Sequence, residues 1–100
     1  MIDHLLDQVL TAQDFLGAGA DGPLHGEPRE LRCRLEYGTE LVVDDSGRQV
    51  TAVARLYAAA GDTLTPQSLV LIDDVERTVV RLERHRAPGG RLGYTLALLR

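Results

Sequence analysis

Three turn signals divide the last half of this chain into short pieces. Ala-Gly-Asp at 60–62, Asp-Asp at 73–74 and Pro-Gly-Gly at 88–90 are residues that accept positive φ, preset a turn or hydrogen-bond their own backbone. The intervening pieces, 51–58, 68–72, 76–86 and 91–99, are rich in Val, Leu, Thr and Tyr and read as strands. A run of strands joined by short turns makes the expected class all-β and antiparallel.

The clearest strand lies earlier. Over 30–37, Leu31, Cys33, Leu35 and Tyr37 alternate with Arg32, Arg34 and Glu36, the pattern of a sheet with one buried face. Cys33 is thus placed on the core face as a small hydrophobe, and a single cysteine supports neither an intrachain disulfide nor a cysteine metal site. Residues 41–43 and 49–57 flank Asp44-Asp45-Ser46-Gly47, a hairpin signal. Adjacent acids do not make a calcium loop, which needs them at alternating positions with a later Glu. Over 51–58, Ala52, Ala54 and Leu56 share one face and Val53 and Tyr57 the other. Both faces are partly apolar, as in a central strand or one that meets another chain. The mixed pattern over 76–86 predicts a bend or bulge midway. Gly93 is a candidate for a bulge or close backbone approach.

The first 29 residues are less regular. Ile2, Leu5, Leu6, Val9 and Leu10 fit helical spacing, whereas Val9, Thr11, Gln13 and Phe15 alternate. The reading is a short turn or helix at 2–7 followed by a strand at about 8–15. Residues 17–29 hold four glycines and two prolines and are expected to be a loop without regular structure, pinned by Leu24 and acting as a linker or as an arm to a neighbouring subunit. The expected domain is therefore single: a closed or partly open antiparallel barrel over 30–100, preceded by a 1–29 segment with long loops and, as one option, a short N-terminal helix.

One hundred residues make one small domain with a thin stability margin. The apolar fraction is 44% and the aromatic fraction 4%, so Leu, Val and Ala must build the core. The net charge is −4, and all eleven bases are Arg. An acidic chain is a poor wrapper of DNA, although it suits a lumen along which DNA slides without sticking. The N-terminus lacks the basic and apolar regions of a signal peptide, and no run approaches the ~18 apolar residues that span a bilayer. His4, His25 and His85 have no metal-ligand spacing. Ser46 and Ser68 lie outside any nucleophile elbow. The Gly-rich run at 17–22 lacks the strand and helix of a dinucleotide loop. No enzyme activity and no cofactor are expected. The Arg81, Arg84, His85, Arg86 cluster lacks the aromatic neighbours of a nucleic-acid surface and reads as a rim or subunit contact.

Tyr57-Ala58-Ala59-Ala60-Gly61-Asp62, then Leu69-Val70-Leu71-Ile72-Asp73-Asp74, then Thr78-Val79-Val80-Arg81-Leu82, then the turn at 89–93 and the strand at 94–99 follow an order that resembles the small head–tail joining proteins of tailed phages, the head-completion or stopper group. Leu5-Leu6, a polar strand, Asp21-Gly22-Pro23 and Arg32-Cys33-Arg34-Leu35-Glu36 are similar to the start of actinobacteriophage-type members. Asp73-Asp74-Val75 departs from the family, which usually has a Gly in that hairpin. The resemblance implies a β-barrel that forms a homo-oligomeric ring, six subunits or else twelve, between portal and adaptor proteins above and tail proteins below. The implied site is the virion neck, after synthesis in the host bacterial cytoplasm. DNA would pass through the lumen without sequence-specific binding or any membrane role, and a loop from each subunit would help retain it. The hairpin around residues 39–48, with Thr39, Glu40, Asp44, Asp45 and Arg48, is the first candidate for that loop, and 17–29 the second. Leu5, Leu6, Phe15, Leu24, Val53, Tyr57, Arg81 and Arg84 are candidate subunit or partner contacts. A tail terminator, a minor tail protein and a generic protein-binding barrel are the alternatives.

Overall fold

The computed structural model describes residues 8–44, 46–60, 62, 64–85 and 93–100. Eight strands follow in order: β1 (Gln8–Gln13), β2 (Phe15–Gly19), β3 (Gly22–His25), β4 (Arg29–Val43), β5 (Gln49–Ala59), β6 (Leu69–Ile72), β7 (Val75–His85) and β8 (Tyr94–Leu99). No helix occurs among the described residues. The segment 2–7, expected as a turn or helix, and the Pro-Gly-Gly turn at 88–90 lie outside them.

Six strands close an antiparallel barrel in the order β1-β4-β5-β8-β7-β6, with β6 returning to β1. Closure depends on β1, which pairs Ala12 with Arg29 on β4 and with Val70 on β6. The barrel is therefore not confined to 30–100: the N-terminal segment supplies the strand that removes its last two edges.

The interior is built from alternating small and large side chains. Ala12, Leu31, Cys33, Ala54, Leu56, Ala58, Leu64, Val70, Ile72, Val79, Ala97 and Leu99 form one cluster, with Leu10, Leu35 and Leu82 packed against it. A six-stranded barrel is narrow, since even eight strands leave an interior that side chains just fill. That width explains the alanine-rich, aromatic-poor composition. Phe15, Tyr37, Tyr57 and Tyr94, the four aromatic residues of the chain, all lie outside this cluster. Burying each large aliphatic side chain contributes about 1.5–3 kcal/mol, so the interior supplies the main driving force for folding.

Irregularities shape the outside. The bulge expected midway along 76–86 falls between Val79 and Arg81, letting both Val79 and Leu82 pair with the inward Leu99 and Ala97. On β4 the register shifts between Tyr37 and Glu40. The expected break between 30–37 and 41–43 is thus a bulge inside one fifteen-residue strand, which continues beyond the barrel. Tyr37, expected on the core face, is 64% exposed because it sits at this bulge, where β4 leaves the barrel wall.

Residues 17–29, expected to lack regular structure, contain most of a second, two-stranded sheet, β2-β3. Glycine enables this hairpin rather than excluding regular structure. Gly17 and Gly22 adopt φ of 118° and 117°, one at the bulge between Phe15 and Gly17 and the other at the end of the tip.

Two turns are strained. In Thr65-Pro66-Gln67-Ser68 the Ser68 amide donates to the Thr65 carbonyl at 3.1 Å, and Gln67 has φ 73°. A Pro followed by positive φ is the type II arrangement, which favours Gly at the third position. Asp73 and Asp74 have φ of 50° and 65° between the paired Ile72 and Val75, matching the two-residue type I′ hairpin. Gln67→Gly is expected to raise stability by about 0.5–1 kcal/mol, and Gln67→Val to lower it by at least about 1 kcal/mol. Urea titration of both variants against the parent chain measures the difference.

Candidate functional site

The far half of the β4–β5 hairpin, residues 39–43 and 49–53, forms a two-stranded ribbon. Val42 pairs with Val50 and Glu40 with Ala52. The Val42, Val50 and Ala52 side chains pack with Val80 and Leu98 into a second, smaller core. The opposite ribbon face carries Leu41, Val43, Gln49 and Thr51 into solvent. Alternation makes this two-faced character unavoidable: one apolar row is covered and the other is not. Arg81 secures the distal end by donating from Nη1 to the Val43 carbonyl at 3.4 Å.

The turn at its tip is held by one carboxylate. Asp44 Oδ1 accepts from the Ser46 amide at 3.0 Å, the Ser46 hydroxyl at 2.7 Å and the Arg48 amide at 2.9 Å. The Gly47 amide donates to the Asp44 carbonyl, with φ of 88° at Gly47. Hydrogen bonding by the Ser46 hydroxyl, joined by the backbone of Arg48, holds the Asp44 carboxyl below its ordinary range.

The expected channel loop is therefore shorter than residues 39–48. Thr39 and Glu40 belong to β4, leaving Asp44 and Arg48 at the tip; Asp45 lies outside the described residues. Glu40 faces Arg55, which donates from Nε at 2.7 Å and from Nη2 at 3.1 Å. This two-pronged contact lowers the Glu40 pKa and raises that of Arg55. Glu36, Tyr37, Gly38, Thr39, Glu40 and Arg55 line a cleft of about 270 Å³ beside the bulge. Within it Glu40 and Arg55 are committed to one another, and Tyr37 donates its hydroxyl to Asp73 at 3.1 Å. Desolvation, reinforced by that hydrogen bond, shifts the phenol upward.

The candidate contact residues are scattered. Leu5 and Leu6 lie outside the described residues. Phe15 stacks at a tilt on His25, 5.8 Å between ring centroids, and Leu24 is exposed on the same β2–β3 arm. Val53 packs against the main core. Tyr57 meets Tyr94, which stacks on His85 at 4.7 Å. His85 Nε2 also lies 3.3 Å from Glu83, without the alignment of a hydrogen bond. Arg81 is drawn to Glu83 at 3.4 Å. Arg84 is engaged within the chain: its guanidinium donates to the carbonyls of Asp62 and Leu64 and to Thr95 Oγ1. It closes one end of the barrel, a role that the basic run at 81–86 did not announce.

A second polar centre at that end was missed in the sequence. Arg29 donates to Asp14 from Nε at 2.9 Å and to Asp62 from Nη2 at 2.8 Å. Both contacts hold it firmly protonated. Asp62 lies in the turn after β5 and Arg29 starts β4, but nothing in the sequence placed them together.

Among the described residues, no three His, Cys, Asp or Glu side chains are gathered as a metal would require. Ser46 is bound to Asp44 and Ser68 to the Thr65 and Phe15 amides. No described histidine is hydrogen-bonded to a serine hydroxyl. Comparison with family models, curated proteins and solved structures finds no match.

Asp44 bears on acid stability. Because its folded pKa lies below the ordinary 3.8, its contribution is present above the unfolded value and is lost as pH falls through the folded one. Asp44→Ala is expected to be less stable than the parent near neutrality, and the gap should close between about pH 5 and pH 2. Denaturant midpoints across that range provide the check. Burial pushes the Cys33 thiol up to about 11, so it should resist thiol reagents at pH 8 and react fully once urea opens the barrel.

Proposed function

We propose that this chain is a structural subunit of a tailed-phage neck, a head-to-tail stopper that joins the portal and adaptor assembly to the tail and helps retain packaged DNA. The order of turns and strands suggests the family. One structural observation supports an assembly role: of the eight large apolar side chains exposed among the described residues, five lie on or beside two extensions of the barrel, the other three being Val9, Leu71 and Val75 on its wall. Leu16 and Leu24 lie on the β2–β3 arm, and Tyr37, Leu41 and Val43 on the ribbon side, at 66%, 53%, 64%, 71% and 43% exposure. Extensions of this kind are stable in water when neighbouring chains cover them.

Head-to-tail contacts that close by rotation make a ring, with six subunits as the first expectation. In this reading the ribbon tip approaches the lumen. Asp44 and the acidic net charge of −4 repel phosphate and keep DNA free to move. Arg48 stays close to Asp44, 3.9 Å between charged atoms, which reduces its attraction for the duplex.

Locating the chain by cryo-electron microscopy of the purified particle tests this reading. Density between adaptor and tail is the expected outcome, and density elsewhere rules out the stopper. In a second assay, the purified chain is mixed with adaptor rings and run on a sizing column. The parent chain should co-migrate with the rings. Leu41→Asp should remain folded, since Leu41 lies in solvent, while losing at least about tenfold in ring association.

A further inference from the structure

The β2–β3 arm is attached to the barrel in an unusual way. It contributes no side chain to either hydrophobic core, and neither of its strands packs extensively on a barrel strand. Its ties are polar. The Phe15 amide donates to Ser68 Oγ at 3.2 Å, and His25 Nε2 meets the Gln67 carbonyl at 2.8 Å. Across its base, the Gly26 amide donates to the Asp14 carbonyl at 2.8 Å and Gln13 Nε2 to the Gly26 carbonyl at 3.1 Å. A further tie is Arg29. Asp14 is the single residue between β1 and β2, and Arg29 is the first residue of β4 after the short link from β3. One guanidinium therefore spans the two points where the arm joins the barrel, and its other side is fixed to Asp62 on the β5–β6 connection.

We propose that the arm opens from the barrel as one unit, hinging where Gln13 meets Asp14 and at residues 26–28, and that Arg29, by holding Asp14 to Asp62, is its latch. An element lacking apolar burial belongs to the low-stability end of a structure and opens without global unfolding. The covalent pivots are short and the hairpin's own pairing is independent of the barrel sheet, so it moves as a body. The inference does not rest on the phage reading.

Amide hydrogen exchange on the full chain tests it, comparing the parent with Arg29→Gln and Asp14→Asn. In both variants, amides of residues 15–25 should exchange at least about tenfold faster, while those of β5 and β8 change by less than about twofold. In the parent chain, raising salt from about 0.05 to 1 M should accelerate the arm, because a partly exposed ion pair is screened; in Arg29→Gln this salt response should vanish. Cys33 should stay unreactive to thiol reagents throughout. Equal acceleration of arm and barrel would make the arm part of the cooperative fold and overturn the proposal, as would unchanged arm exchange in Arg29→Gln. Asp14→Asn retains the Asp62 contact and provides the test should Arg29→Gln not fold.

Discussion

The structure depends on one short insertion, β1 between β4 and β6. Residues 8–12 pair with β4 and residues 11–13 with β6, and so remove the two edges that an open sheet would expose. Leu10 and Ala12 point inward, and Gln8 adds a side-chain acceptor for the Leu35 amide at 2.6 Å. Closure sets the bore, and the bore sets the composition. Ala54, Ala58 and Ala97 sit where a larger side chain would crowd the opposite wall, while Leu31, Leu56 and Leu99 fill the space between them. The aromatic residues go outside, where Tyr57, Tyr94 and His85 form a stacked patch on β5, β8 and β7.

The two ends of the barrel are finished differently. At one end Leu64 is fully buried, while Arg29, Asp62, Arg84 and Thr95 satisfy the polar groups around it. Asp62 is the hub: its carboxylate accepts from Arg29 and from the Leu64 amide, and its carbonyl accepts from Arg84. At the other end β4 and β5 extend past the barrel wall as the ribbon. The barrel is thus a rigid base carrying two extensions, one bound by a second apolar core and the other by polar contacts. That division connects packing to the proposed assembly role, because extensions can engage neighbours without disturbing the base.

The fold class was legible because alternation and turn chemistry are local. Leu31, Cys33 and Leu35 alternate with Arg32 and Arg34 whatever the chain does elsewhere, and Asp73-Asp74 turns whether or not a barrel forms. The extensions were less legible. Glycines at 17, 19 and 22 signal conformational freedom, and freedom is compatible with both a loop and a hairpin; the pairing of Ala18 with Pro23 resolves that choice. Thr39 and Glu40 looked like loop residues because the bulge at Gly38 and Thr39 interrupts the alternation that marks a strand.

The sequence by itself determined an all-β chain, the β5 and β6 strands, the turn at Asp44, the bulge in β7 and the burial of Cys33. Each follows from side-chain pattern over a few residues. Tertiary structure alone decided which strands are neighbours, that β1 closes the barrel, that Arg84 reaches the Asp62 and Leu64 carbonyls, and that Arg29 joins Asp14 to Asp62. Those last partners lie 15 and 33 residues from Arg29. Charge pattern at such separations carries no information on distance, so the barrel's closure had to bring them together before their ion pairs could exist.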